Sequence, residues 1–153
     1  MSLSVSTNCG ALNGPGATVQ RYVEGFNAAN ADVLADCFAD DGVILDGMAP
    51  HVWSGSTATR DWHRDAMEES AHLGISDFHM TLGVPTHDAV MGEAAYFVAP
   101  ATLSFTVGGK PIEQTGALFT VALRNVEGRW LIAAWAWTKG AGGGTDDVKQ
   151  AAV

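Results

Sequence analysis

The sequence predicts an α+β fold in which three N-terminal helices pack on a curved antiparallel sheet. Three observations carry that expectation. Apolar residues early in the chain recur at helical spacing: Val19, Tyr22, Val23 and Phe26 stand at i, i+3, i+4 and i+7. From Ile75 the period drops to two. The long period-two runs that follow are joined by Gly108-Gly109 and Asn125-Val-Glu-Gly128, turns that suit hairpins rather than crossovers. Helices first and strands afterwards is the segregated pattern, distinct from alternating βα units.

Residues 1–14 mix Ser, Thr, Asn and Gly and read as a flexible lead. Pro15 suits the first turn of a helix. On that helix Tyr22 is the single polar group of the apolar stripe, while Gln20, Arg21 and Glu24 fall off it. Asn30-Ala-Asp32 breaks the first helix and caps a second, where Val33, Leu34, Cys37 and Phe38 repeat the inward spacing. Asp40-Asp41-Gly42 reads as a turn, and Val43-Ile44-Leu45 as a short strand that delivers Asp46 to its far end. Residues 47–55, with two glycines and a proline, read as a loop. Ser56 or Thr57 caps a third helix over 58–73. Trp62, Ala66, Met67 and Ser70 form its inner face, Asp61, Arg64, Asp65, Glu68 and Glu69 its wet side, and Gly74 its stop.

Residues 75–84 alternate as a half-buried strand. Residues 93–107 form a longer one, in which Pro100 predicts a bulge or an edge position. Strands over 112–125 and 129–139 follow. On the last, strict alternation places Trp130 on the face opposite Trp135 and Trp137. Both faces are then apolar, one toward a cavity and the other toward a second copy in a homodimer, unless the N-terminal arm or the tail covers it. Residues 141–153 are glycine-rich and read as a flexible tail, leaving 15–140 as a single domain.

Composition narrows the function. A formal charge of −9, with eight scattered Lys and Arg, argues against nucleic acid and against an anionic membrane surface. No apolar run approaches the ~20 residues that span a bilayer. The first ten residues lack a charged and apolar leader, and two cysteines make no disulfide framework, so a soluble cytoplasmic protein is expected. No pair among His51, His63, His72, His79 and His87 has the i, i+4 spacing of a zinc motif, and no glycine-rich nucleotide loop precedes a helix. Neither metal nor cofactor is expected.

The stretch VQRYVEGFNAANADVLADCFADDGVILD closely resembles the opening of bacterial ketosteroid isomerases, and the element order over 17–139 resembles the cone-shaped, nuclear-transport-factor-like fold. That superfamily includes those isomerases and the SnoaL-like cyclases. The resemblance implies that Tyr22, on the first helix, donates a hydrogen bond to a substrate carbonyl, and that Asp46, at the end of the first strand, shuttles the proton. It also implies a third group, a protonated acid on the next-to-last long strand. The corresponding residues here are Ala117 or Phe119, and neither can donate. Family members often dimerise through the sheet.

The residues support the same chemistry by their own properties. A carboxylate at a strand end, walled by Ile44, Met48 and Trp53, loses water and becomes more basic. The competing reading is that Asp46 only opens the Asp46-Gly47 turn. Tyr22 is either an oxygen donor or a core tyrosine satisfied internally. Phe26, Trp53, Trp62, His63, Phe119 and Trp135 are the expected walls of a pocket for a small apolar ligand. The function expected is an isomerase, cyclase or dehydratase acting on an apolar carbonyl compound, the alternative being a non-catalytic ligand-binding or dimerisation module of the same fold.

Overall fold

The computed structural model describes residues 14–140 and 142–143; Cys9, the N-terminal lead and most of the C-terminal tail lie outside the described residues. Helix α1 (Pro15–Asn27) carries Pro15 in its first turn and buries Val19, Tyr22, Val23 and Phe26. Helix α2 (Ala31–Asp36) is capped by Asn30, whose side chain accepts from the amides of Asp32 and Val33, and buries Leu34. Arg21 and Arg129 both reach the Asp36 carboxylate, at 2.6 and 3.1 Å, tying the end of α2 to its neighbours. These groups are half exposed, so each pair contributes at most about 1 kcal/mol.

Strand β1 (Phe38–Leu45) starts five residues earlier than Val43, because Asp40-Asp41-Gly42 is not a turn. It is a bulge: the register against strand β7 (Arg129–Thr138) shifts between Phe38 and Val43. The Phe38 ring folds back over Gly42 and leaves no room there for a Cβ. A turn-like tripeptide is thereby held within a strand by packing that local propensity does not register. Strand β2 (Val52–Ser54) pairs antiparallel with β1 and lies inside the stretch expected as loop. Helix α3 (Ala58–Leu73) follows, stopped by Gly74 at φ 74°.

The chain then runs through β3 (Ile75–Leu82), β4 (His87–Met91), β5 (Ala94–Val107), β6 (Lys110–Val126), β7 and β8 (Gly142–Gly143). The eight strands form one curved sheet in the order β2-β1-β7-β6-β5-β3, with β4 beside the first half of β5 and β8 beside β6. β8 falls within the tail expected to be flexible. The sheet is mixed, not wholly antiparallel: β1 and β7 run parallel. After α3 the meander brings its last long strand back beside the first, pointing the same way.

Two bulges correct the alternation arguments. Pro100 pairs with Leu118 in register, and the irregularity falls instead at Thr115-Gly116 on β6, where Gly116 has φ 81°. On β7, Ala122 pairs with Ala134 but Leu123 with Ile132, so Ala133 is an extra residue that flips the parity. Trp130, Trp135 and Trp137 oppose Asn125, Val121 and Phe119 and share one face, the one the helices cover. Trp130 packs on the core instead of facing outward. The outer face carries exposed Leu45, Val52, Tyr96 and Leu118 around the small side chains of Ala122, Ala134 and Ala136. Among the described residues no helix is long and apolar enough to cross a membrane.

Candidate functional site

A cavity of about 60 Å³ lies between α1, α3 and the inner face of the sheet. Six of the residues expected at the site line it: Tyr22, Phe26, Asp46, Trp62, Phe119 and Trp135. Trp137 and three methionines, Met48, Met67 and Met80, complete much of the wall. The space holds a few waters and is well below the several hundred Å³ of a pocket closed around a drug-sized ligand. Methionine walls repack readily, so the cavity is small but adaptable.

Asp46 follows the last residue of β1. The turn it opens has its own backbone hydrogen bonds: the Asp46 amide donates to the His51 carbonyl at 3.1 Å and the His51 amide to the Met48 carbonyl at 2.9 Å. His51 Nδ1 meets the Asp46 carbonyl oxygen at 3.1 Å. The side chain lines the cavity. Trp62 Nε1 donates to Asp46 Oδ2 at 2.7 Å, while Oδ1 is buried and makes no hydrogen bond. Burial pushes the carboxyl pKa up; the Trp62 N–H and the nearby Gly47 and Met48 amides pull it the other way. The net result is a carboxylate more basic than one in water.

Tyr22 is almost fully buried. Its hydroxyl oxygen accepts from Trp135 Nε1 at 2.8 Å and shares a 2.5 Å hydrogen bond with Thr59 Oγ1. Burial raises the phenol pKa and keeps the group neutral. The direction of the Thr59 bond decides what Tyr22 offers. When Thr59 donates, the Tyr22 proton is left for a ligand; when Tyr22 donates, nothing is left. The rings around this network interlock, with Trp62 and Trp135 edge to face at 4.9 Å and 87° and Phe26 at 6.0 Å from Trp62.

Two expected wall residues are elsewhere. Trp53 is buried between β2 and α3, where its Nε1 donates to Asp65 Oδ2 at 2.9 Å and fastens helix to strand. His63 is buried beside Trp62 but one position round the helix, off the cavity wall. Its Nε2 has no partner, and burial lowers its pKa, which keeps the ring neutral. Ala117 and Phe119 are buried on the inner face, so no acid comes from β6 at the place where the resemblance implies one. Among the described residues no three His, Cys, Asp or Glu groups are grouped to hold a metal ion.

Sequence reasoning missed Thr59 and Trp137. Thr59 carried no signal beyond lying in the first turn of the third helix. Trp137 was findable, since it alternates in step with Trp135.

The fold has many solved relatives, and three illustrate its range. A ketosteroid isomerase-like protein from Erwinia carotovora atroseptica superposes with a TM-score of 0.64 at 18% identity, covering 82% of this chain and 92% of that one. A type 2 hexachlorocyclohexane dehydrochlorinase, LinA, gives 0.71 at 10% identity over 92% and 88% of the two chains. The type 3 enzyme from Novosphingobium barchaimii LL02 gives 0.69 at 12% over 88% and 87%. At these identities the likeness is one of fold. No curated protein matches the sequence. The SnoaL-like domain model matches residues 16–136, which take in the opening motif and every cavity-lining residue except Trp137, at the end of the last long strand. The chain belongs to the SnoaL-like family of the nuclear-transport-factor-like superfamily.

Proposed function

We propose that the chain is a cofactor-free enzyme acting on a small apolar carbonyl compound. Asp46 takes a proton from the carbon next to the carbonyl, the electron pair moves onto the oxygen, and Tyr22 donates a hydrogen bond to the resulting enolate. Return of the proton at another carbon is isomerisation; loss of a leaving group or attack on a second carbonyl gives dehydration or cyclisation. The observation that carries this reading is the Asp46 carboxyl itself, held by Trp62 in an apolar cavity with one oxygen unoccupied. A desolvated carboxylate with a raised pKa is a stronger base than one in water, which suits proton abstraction. Solved neighbours named as dehydrochlorinases and as isomerase-like support small-molecule chemistry in this fold.

The test is Asp46→Asn on a panel of enolisable ketones. Loss of turnover by about 100-fold or more, with folding kept, is the expected result. Undiminished turnover overturns the reading.

A second reading, a binding module without catalysis, is favoured by one observation. Ala117 and Phe119 close the inner face of β6 with apolar side chains, so nothing on that strand helps Tyr22 hold an oxyanion. In that case carbonyl compounds bind but are recovered unchanged.

We also infer a homodimer through the outer sheet face. Leu45, Val52, Tyr96 and Leu118 are exposed there around alanines, a combination that suits close apposition of two sheets.

A further inference from the structure

We propose that the Trp137 indole N–H is a second donor to the ligand oxygen, in place of the acid that β6 lacks. The inference rests on the carbonyl-compound reading above and extends it to a residue that reading does not use.

Tryptophan N–H groups nearly always find a partner when buried. Here Trp53 donates to Asp65, Trp62 to Asp46 and Trp135 to Tyr22. Trp137 is only partly buried, but its Nε1 is a buried atom and donates to nothing. The second unpartnered atom at the same cavity is Asp46 Oδ1. Both residues line it, and the sheet sets them side by side. β1 and β7 run parallel with Ile44 beside Trp135 and Leu45 beside Ala136, so the next step places Asp46 beside Trp137. Asp46 has the parity of buried Ile44, and Trp137 that of buried Trp135, so both belong to the inner face.

The strand pairing also explains why Trp137 can take over the role. Phe119, at the place where the resemblance implies an acid, is paired directly with Trp137, and their rings lie 6.2 Å apart. The donor therefore comes from the neighbouring strand. An orphaned donor and an orphaned acceptor, each costly when left unpaired, are both satisfied by one molecule with an oxygen at one end and an acidic C–H or hydroxyl at the other. With space of about 60 Å³, a single-ring ketone or phenol fits that description better than a polycyclic one.

The test follows the five indole N–H signals of ¹⁵N-labelled protein while 2-cyclohexenone or 4-nitrophenol is added. Trp137→Phe assigns the signal and keeps the ring. The expected result is a downfield shift of the Trp137 N–H larger than those of Trp62 and Trp135, and binding weakened about 3- to 10-fold in Trp137→Phe. If methyl signals of Met48 and Met80 move but the Trp137 N–H stays, the donor assignment is wrong while the carbonyl-pocket reading stands. If no cavity signal moves with either probe, both are wrong. A Trp137 signal that follows the Asp46 titration in the free protein and ignores the probe means that the two residues bond each other, which also overturns the proposal.

Discussion

Trp62 on α3 and Asp46 at the end of β1 are joined by a 2.7 Å hydrogen bond that uses one carboxyl oxygen and leaves the other buried and open. The bond fixes the carboxyl group against the inner wall and opposes the rise in pKa that burial causes. Trp62→Phe removes the opposing influence and keeps the aromatic wall. The Asp46 pKa then moves further up, and the acid limb of the pH–rate profile moves to higher pH with it. ¹³C titration of the Asp46 carboxyl in wild type and variant checks the direction.

Asp46 also sets the pH dependence of stability. Its folded-state pKa lies above its unfolded value. The neutral form is therefore favoured by folding: its contribution is complete below the unfolded range, about 3.9, and is lost as pH rises through the folded value. Asp46→Asn escapes that loss. Thermal melts are expected to show the variant more stable than wild type at pH 7, with the gap narrowing as the pH falls through the raised folded value and closed below about 4.

Tyr22→Phe acts in the opposite direction. It leaves the buried Trp135 N–H and the Thr59 hydroxyl without their shared partner. The expected cost is about 1–3 kcal/mol, at ~2–4 °C of melting temperature per kcal/mol. A double-mutant cycle with Trp135→Phe should show positive coupling, because the second change removes the orphaned donor.

Gly42→Ala tests the bulge in β1. The added methyl meets the Phe38 ring, which packs in the core. Overpacking of this kind costs about 1–3 kcal/mol, read as a lower urea midpoint with an unchanged slope.

Light scattering tests the homodimer. The protein is expected at twice the 16.0 kDa chain mass. Leu118→Lys combined with Tyr96→Lys is expected to give a folded monomer. A wild-type monomer at high concentration removes the interface.

Much of this was legible because it is periodic or local. The Val19–Phe26 stripe, the Asn30 cap and the Gly74 stop each declare themselves within a few residues. Tyr22 and Asp46 were legible because they stand on the two elements that the opening motif fixes. The misreadings have a common cause in contacts between distant strands. Ala133 becomes an extra residue only against β6, and that alone moves Trp130 to the inner face. The Asp40–Gly42 bulge exists only because β7 pairs on both sides of it and Phe38 covers the glycine. Trp53 and His63 are aromatic and buried as expected, yet Trp53 turns from β2 to Asp65 on α3 and His63 stands one position round that helix from the cavity wall. Whether a buried aromatic side chain borders a void or fills it depends on a few tenths of a turn, which no spacing rule resolves.

The most direct measurement of the central claim is deuterium uptake at carbon next to a carbonyl, followed by ¹H NMR in D₂O for single-ring ketones incubated with wild type or Asp46→Asn. It reports proton abstraction by Asp46 without requiring that the full reaction be known. The account predicts exchange above the buffer rate with wild type, reduced about 100-fold or more in Asp46→Asn. Equal exchange in the two proteins, at or above the buffer rate, contradicts it.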